Sequence, residues 1–178
     1  MKKLIIIFLW FTFHLLGEDL GYLVNDLNQS NNVFHNSEEI NFIFNIKNKN
    51  YEKVELFLSK YENIDFVIKN NNTLLFYAID LGDLKVVKLL IEHGANLYHI
   101  NNNLETTLHI AVKRDTVEIT RYLLEEGITT ISNKDFYGNT ALFYANKNAN
   151  NEIIELLKYY KTINIKEIDD LEDFIKNF

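Results

Sequence analysis

The sequence of 178 residues predicts an all-α solenoid of stacked helix-turn-helix units with short loops or hairpin tips. The segments TLLFYA, TTLHIA and TALFYA begin at Thr73, Thr106 and Thr140, at intervals of 33 and 34 residues. Each unit holds two short segments with apolar residues at helical spacing, separated by a polar break. A glycine follows the second segment at Gly94 and again, 33 residues later, at Gly127. These observations indicate a helix, a turn, a helix and a loop in each unit.

The first segment of each unit predicts a short capped helix. The hydroxyl of Thr106 can accept a hydrogen bond from a free backbone N–H group at the helix start. Leu108 and Ala111 lie three residues apart and therefore share one helical face. Because alanine is small, we expect a neighbouring helix to approach closely at Ala111.

The second segment predicts a helix with a broad apolar face and a left-handed end. Gly94 and Gly127 lie where such a helix stops, in a conformation that costs a residue with a Cβ atom about 1–2 kcal/mol. Charged residues fill the opposite face. The apolar residues are Val86, Val87, Leu89, Leu90 and Ile91 in one unit, Ile119, Leu123 and Leu124 in the next, and Ile153, Ile154, Leu156 and Leu157 in the last.

TTLHIA, DFYGNTALFYA and GDLKVVKLLIEHGA together resemble the ankyrin repeat, which has a period near 33 and the signature T-P-L-H-x-A. The resemblance covers about residues 38–161. The signature proline is absent, which leaves the fold intact but loosens the helix start. Leu74, Thr107 and Ala141 stand in its place. The resemblance implies four units at about 38–70, 71–103, 104–137 and 138–161.

The first and last units depart from the repeat pattern. Ile40 replaces the threonine and Tyr61 the glycine in the first unit, and Lys161 replaces the glycine in the last. Terminal repeats show one face to water and act as caps, so such departures are expected. After the array, residues 162–178 predict a capping helix with one apolar face. That face contains Ile168, Leu171, Phe174, Ile175 and Phe178.

The N-terminal sequence predicts a targeting segment that is separate from the repeats. Lys2 and Lys3 precede an apolar run from Leu4 to Leu16, and Gly17 follows. This order resembles a signal peptide over residues 1–17, and the run is shorter than the roughly 20 residues of a membrane span. Residues 18–37 are polar and predict a linker. We therefore expect a bacterial-type exported protein, periplasmic or secreted. The alternative is a membrane-anchored structural or assembly factor, in which an uncleaved N-terminal helix holds the array at the membrane.

Composition and motifs exclude several function classes. A net charge of −7 argues against nucleic-acid binding, and the absence of cysteine removes thiolate chemistry. No phosphate-binding loop, nucleophile elbow or zinc-protease motif is present, so we expect no enzyme activity, no cofactor, no bound metal and no small-molecule substrate. His93 and His99 flank one turn but lack a third ligand in the sequence nearby. The resemblance gives His109 a structural role, in hydrogen bonds within and between loops.

The remaining function is protein binding by a monomer. By resemblance, partners contact the loop tips before each threonine and the exposed end of the first helix. Bases outnumber acids among these positions, which makes an acidic partner one candidate, and Phe136 and Tyr137 place two aromatics at one tip. The candidate residues are Lys69, Asn70, Asn72, Asp80, Leu81, Asn102, Asn103, Glu105, Lys113, Arg114, Phe136, Tyr137, Asn139, Lys147 and Asn148, with Lys47 on the same face of the first unit.

Overall fold

The computed structural model describes the backbone of residues 37–176 and the side chains of residues 41–163. The predicted signal peptide and nearly all of the predicted linker lie outside the described residues. The α-helices are α1 (Ser37–Lys47), α2 (Tyr51–Leu58), α3 (Leu74–Asp80), α4 (Leu84–Glu92), α5 (Thr107–Lys113), α6 (Val117–Glu125), α7 (Ala141–Asn148) and α8 (Asn151–Lys176). A short 3₁₀ turn, Thr130–Ser132, precedes the last pair.

Consecutive helices pack as four pairs, and the pairs stack in chain order. The first helices α3, α5 and α7 contact one another in a row, and the second helices α2, α4, α6 and α8 form a parallel row. Isolated bridges join Val67 to Thr73 and Ile100 to Thr106, so two of the loops close as hairpin tips. The prediction of an all-α solenoid is confirmed.

Small residues let the first helices approach each other. Ala78, Ala111 and Ala145 occupy equivalent positions in α3, α5 and α7, and all three are fully buried. The apolar faces of the second helices fill the rest of the core, with Leu90 and Leu123 at equivalent, fully buried positions. Burial of a leucine side chain stabilises the fold by about 1.5–3 kcal/mol, so this repeated face holds the stack together.

The predicted cap at Thr106 and the predicted helix ends at Gly94 and Gly127 are confirmed. The Thr106 hydroxyl accepts from the His109 backbone N–H at the start of α5, and Thr140 does the same for Phe143 at the start of α7. Gly94 and Gly127 have φ angles of 86° and 80°, the left-handed region in which glycine carries no Cβ penalty.

The last unit ends differently from the inner ones. Where α4 and α6 stop before glycine, α8 runs through Lys161 without a break and continues to Lys176. The boundary predicted between the last repeat and the capping helix therefore falls inside one helix. The predicted apolar face from Ile168 to Phe178 lies outside the residues whose side chains are described. No helix in the range 37–176 is long and apolar enough to cross a membrane.

Candidate partner-binding site

Each of the two central loop tips is organised by one side chain. Oδ1 of Asn101 accepts hydrogen bonds of 2.9 Å from the backbone N–H groups of Asn103 and Glu105. In the next unit, Oδ1 of Asp135 accepts bonds of 2.9 Å from the N–H groups of Tyr137 and Asn139. Asn and Asp favour such local turns, so both tips have a defined shape.

Backbone hydrogen bonds link neighbouring tips into a ladder. The N–H of Asn102 donates to the carbonyl of Asn70 at 2.9 Å, and the N–H of Phe136 donates to the carbonyl of Asn103 at 2.8 Å. Asn70 and Asn103 each lie three residues before the repeat threonine. The tip of each unit therefore positions the tip of the next one.

A polar cluster lies between the third and fourth units. Lys113 Nζ forms an ion pair and hydrogen bond with the buried Glu105 carboxylate, and lies 3.9 Å from Oδ2 of Asp135. The same ammonium sits 4.1 Å from the centre of the Tyr144 ring. The hydroxyl of Tyr144 donates to Oδ2 of Asp135 at 2.5 Å. One lysine thus joins its own tip, the next tip and the next helix.

Hydrogen bonds, rather than burial, decide the charge states of this cluster. Burial alone would raise the pKa of the Glu105 carboxyl, but hydrogen bonds from Asn101 and Lys113 outweigh it and hold the pKa below its ordinary value. Burial likewise opposes ionisation of Asp135, and the hydroxyl of Tyr144 with backbone N–H groups lowers that pKa. The Lys113 pKa is raised, because bonds to Glu105 outweigh the effect of burial. All three groups are therefore charged at neutral pH.

His109 connects the same two units with neutral hydrogen bonds. Its Nδ1 accepts from the backbone N–H of Thr106 at 3.2 Å, which leaves the proton on Nε2. Nε2 lies 3.2 Å from the carbonyl of Asn139, to which it donates. Burial lowers the pKa of His109, and the hydrogen bond to the Asn139 carbonyl, with the carboxylates of Asp135 and Glu105, offsets part of that effect. The predicted role of His109 within and between loops is confirmed.

Several candidate residues take part in contacts inside the array. Arg114 and Asp80 form two hydrogen bonds of 2.6 and 2.7 Å on the surface between the second and third units. The Asn148 amide donates to the carbonyl of Val112 at 2.9 Å. Further internal contacts involve Glu105, Lys113, Asn139 and Asn72, the last of which accepts from the Asn101 amide. Two basic residues of the candidate face, Lys113 and Arg114, are therefore paired with carboxylates within the fold.

Phe136 and Tyr137 are the most exposed large apolar side chains in the described part of the chain, at 71% and 77%. Their rings contact each other edge to face, with centroids 5.6 Å apart. The backbone beneath them is fixed by Asp135 and Asn103. The predicted exposure of the two aromatics is thus observed, and their binding role stays a prediction.

The structure reveals apolar surface that the sequence interpretation missed. Phe143 is half exposed on α7, and Leu104 projects from its tip with a left-handed φ of 56°. A signal for Phe143 existed in the repeat register, since it takes the place of His109 in a unit with no recognised repeat after it. Tyr144 and Asp135 were also missed, because no local pattern connects residues nine positions apart.

The histidines considered for metal binding contact the backbone. Nδ1 of His93 lies 2.8 Å from the carbonyl of Leu89, and Nε2 of His99 lies 2.7 Å from the carbonyl of Asn71. Among the described residues, no three His, Asp or Glu side chains come together as metal ligands would.

Fold and site define a class: a repeat scaffold that displays side chains on ordered loop tips. A family model that describes three copies of the ankyrin repeat matches this chain over residues 14–101 and again over residues 97–169. The chain belongs to the ankyrin repeat family. Domains of this family are in general protein-binding scaffolds, and typically they catalyse no reaction.

Three relatives illustrate how widely these repeats occur. The chain is 28% identical over 144 residues to alpha-latroinsectotoxin-Lt1a of Latrodectus tredecimguttatus, covering 80% of this chain and 10% of the toxin. It is 31% identical over 109 residues to the ankyrin repeat protein FPV034 of fowlpox virus, covering 61% and 25%. It is 33% identical over 127 residues to FPV222 of the same virus, covering 68% and 16%. The chain thus spans a quarter or less of each relative's length.

Proposed function

We propose that this protein is a non-catalytic binding module that docks a partner protein on the loop tip of residues 135–139, which joins its third and fourth units. The observation that carries the proposal is the exposure of Phe136 and Tyr137 on a loop whose backbone is fixed by Asp135. An ordered tip loses little conformational freedom when a partner binds. Aromatic side chains contribute much of the binding energy at protein interfaces, and two such rings in water are unfavourable unless a partner covers them.

The rest of the candidate face supports the tip with polar contacts. Lys69, Asn70, Leu81 and Asn102 lie beside it on earlier units, at half-buried or exposed positions. We assign them to the rim of the interface, where contacts exclude water and contribute little affinity.

The test separates affinity from stability. Phe136→Ala combined with Tyr137→Ala should weaken binding to a partner captured from the native extract by at least about 2 kcal/mol, because the anchors are lost. The melting temperature should hardly change, because neither ring is buried. Tyr159→Ala, at another exposed tyrosine on α8, is the matched control and should leave affinity unchanged. Unchanged affinity in the double variant, or early unfolding, would contradict the proposal.

We also propose that residues 1–17 direct export of the protein, with an uncleaved membrane anchor as the alternative. The support is the order of two lysines, an apolar run and a small residue in the sequence. The mass of the purified native protein distinguishes the two. Loss of about 17 residues agrees with export, whereas a full-length chain that sediments with membranes supports the anchor.

A further inference from the structure

The fourth unit exposes the face against which, in the inner units, the following unit packs. Phe76, His109 and Phe143 occupy the same repeat position in α3, α5 and α7. Phe76 and His109, each of which is followed by a further unit, are 1% and 0% exposed, whereas Phe143 is 49% exposed. The described part of the chain therefore ends its array with an open apolar surface on α7.

The charge on this open face is also unmatched. Lys113 in α5 lies between Glu105 of its own tip and Asp135 of the next one. Lys147 is its equivalent in α7, and it makes no ion pair with any residue of the described range. The position of Glu105 is taken by Asn139, which carries no charge. Among the residues whose side chains are described, Lys147 therefore has neither of the carboxylates that its counterpart contacts.

The backbone ladder stops at the same place. The carbonyls of Asn70 and Asn103 each accept an N–H group from the following tip. Tyr137 stands at the equivalent position, three residues before Thr140, and its carbonyl accepts no such bond within the described residues. An unpaired carbonyl, a lysine and a half-covered ring therefore lie on one side of the fourth unit.

We propose that this open end of the array, formed by Tyr137, Phe143 and Lys147, binds an acidic loop of a partner protein. The contact between the third and fourth units shows the required chemistry. A carboxylate of the loop would pair with Lys147 as Asp135 lies against Lys113, a backbone N–H would donate to the Tyr137 carbonyl, and an apolar side chain would cover Phe143. Charge complementarity favours this occupant, since Lys147 is a cation that its own unit does not neutralise.

This inference rests on the proposed binding function and names the partner chemistry for its site. It also assigns different tasks to neighbouring residues. Phe136 and Tyr137 supply apolar contact whatever the partner's charge, while Lys147 selects for an acid. A partner that needs the two aromatics but ignores Lys147 would overturn the inference and leave the binding function standing. A partner indifferent to all three residues would contradict both.

The experiment uses short disulfide-closed loops displayed on phage and selected against the intact protein. Selected loops should contain Asp or Glu, and a synthetic copy should bind at least about fivefold more weakly to Lys147→Gln at low salt. The difference should shrink at high salt, because salt screens exposed charges. Lys53→Gln, an equal charge change on the exposed side of α2, is the matched control and should bind as the unaltered protein does.

A double-mutant cycle identifies the contact itself. Replacing the acid of the selected loop by its amide should cost the same factor as Lys147→Gln, and combining both changes should cost little more. Loops without an acid, no selected loop at all, or two independent losses would overturn the proposal. Self-association of the protein that disappears in Lys147→Gln would overturn it too, by assigning the surface to a second copy of this chain.

Discussion

At one equivalent position of the first helices, the second unit has a buried apolar ring, whereas the third unit has a buried polar one. Phe76 is buried at the position that His109 holds one unit later, and its ring lies edge to face with His99 of its own unit at 5.9 Å. His109 instead hydrogen-bonds Thr106 on one side and Asn139 on the other. Equivalent helices nonetheless stack in both contacts, α3 on α5 and α5 on α7. The repeat geometry therefore does not require a particular polar pairing.

The phenylalanine in the second unit leaves a hydroxyl without a hydrogen bond at the start of its helix. In the third unit the Thr106 hydroxyl caps α5 and lies 2.9 Å from Nδ1 of His109. In the second unit the Thr73 hydroxyl is buried and has no hydrogen-bond partner. Phenylalanine offers no polar atom to replace the imidazole. The threonine is therefore useful in one unit and unfavourable in the other, although the sequence shows the same residue.

The ion pairs differ between the two contacts in a similar way. Lys113 and Glu105 pair in a largely buried setting, whereas Arg114 and Asp80 pair on the surface. Water and salt weaken the exposed pair, and the side chains lose entropy when they form it. The buried pair gains from a lower local dielectric, and its loss leaves a carboxylate with few partners.

The largest effect is expected from Lys113→Met, which keeps the apolar stem and removes the ammonium. Glu105 would then hold a buried charge with only asparagine donors, so the free energy of unfolding should fall by about 2–3 kcal/mol. Arg114→Met is the matched control on the next residue and should cost less than about 1 kcal/mol. Urea unfolding of both variants measures the difference. Equal losses would mean that the buried cluster adds no stability beyond a surface pair.

This contrast also marks how far the sequence could predict the fold and the site. The helices and the ends at Gly94 and Gly127 were predictable, because apolar spacing and a left-handed glycine are local signals. The burial of Glu105 was not predictable, since it depends on Lys113 eight residues later and on a tip from another unit. The repeat register alone therefore places Glu105 on the binding face. Phe136 and Tyr137 were placed correctly at a tip, because a loop between two recognised helices must run over the surface.

The helix starts offer a smaller and more selective effect. Thr106→Val should lower stability by about 1–2 kcal/mol, because it removes the cap of α5 and one partner of His109. Thr73→Val should leave stability unchanged or raise it slightly, because it replaces an unsatisfied buried hydroxyl by a methyl group of similar size. Thermal and urea unfolding of the two variants test the pair. If both substitutions cost the same, the Thr73 hydroxyl has a partner that the structure does not show.

The smallest expected effect is a pH dependence that belongs to the polar contact alone. Burial holds the pKa of His109 below its ordinary value of 6.5, so the unfolded chain takes up this proton more readily than the folded one. The contribution of neutral His109 is therefore complete above about pH 6.5 and is lost as the pH falls through the folded-state pKa. The hydrogen bond to Asn139 and the carboxylates of Asp135 and Glu105 favour the protonated ring, so they offset part of the burial effect and limit this contribution.

His109→Phe copies the second unit into the third and removes this proton site. Urea midpoints measured above and below the ordinary histidine pKa should then differ less in the variant than in the unaltered protein. Lys113 and the carboxylates of Glu105 and Asp135 face the ring in both proteins. Because the pKa values of both carboxyls are lowered, their own contributions are lost only at more acidic pH and stay outside this window. An identical pH response in the two proteins would show that His109 has the same pKa in the folded and the unfolded chain. In that case the hydrogen bonds of His109 between the third and fourth units would not depend on a neutral ring.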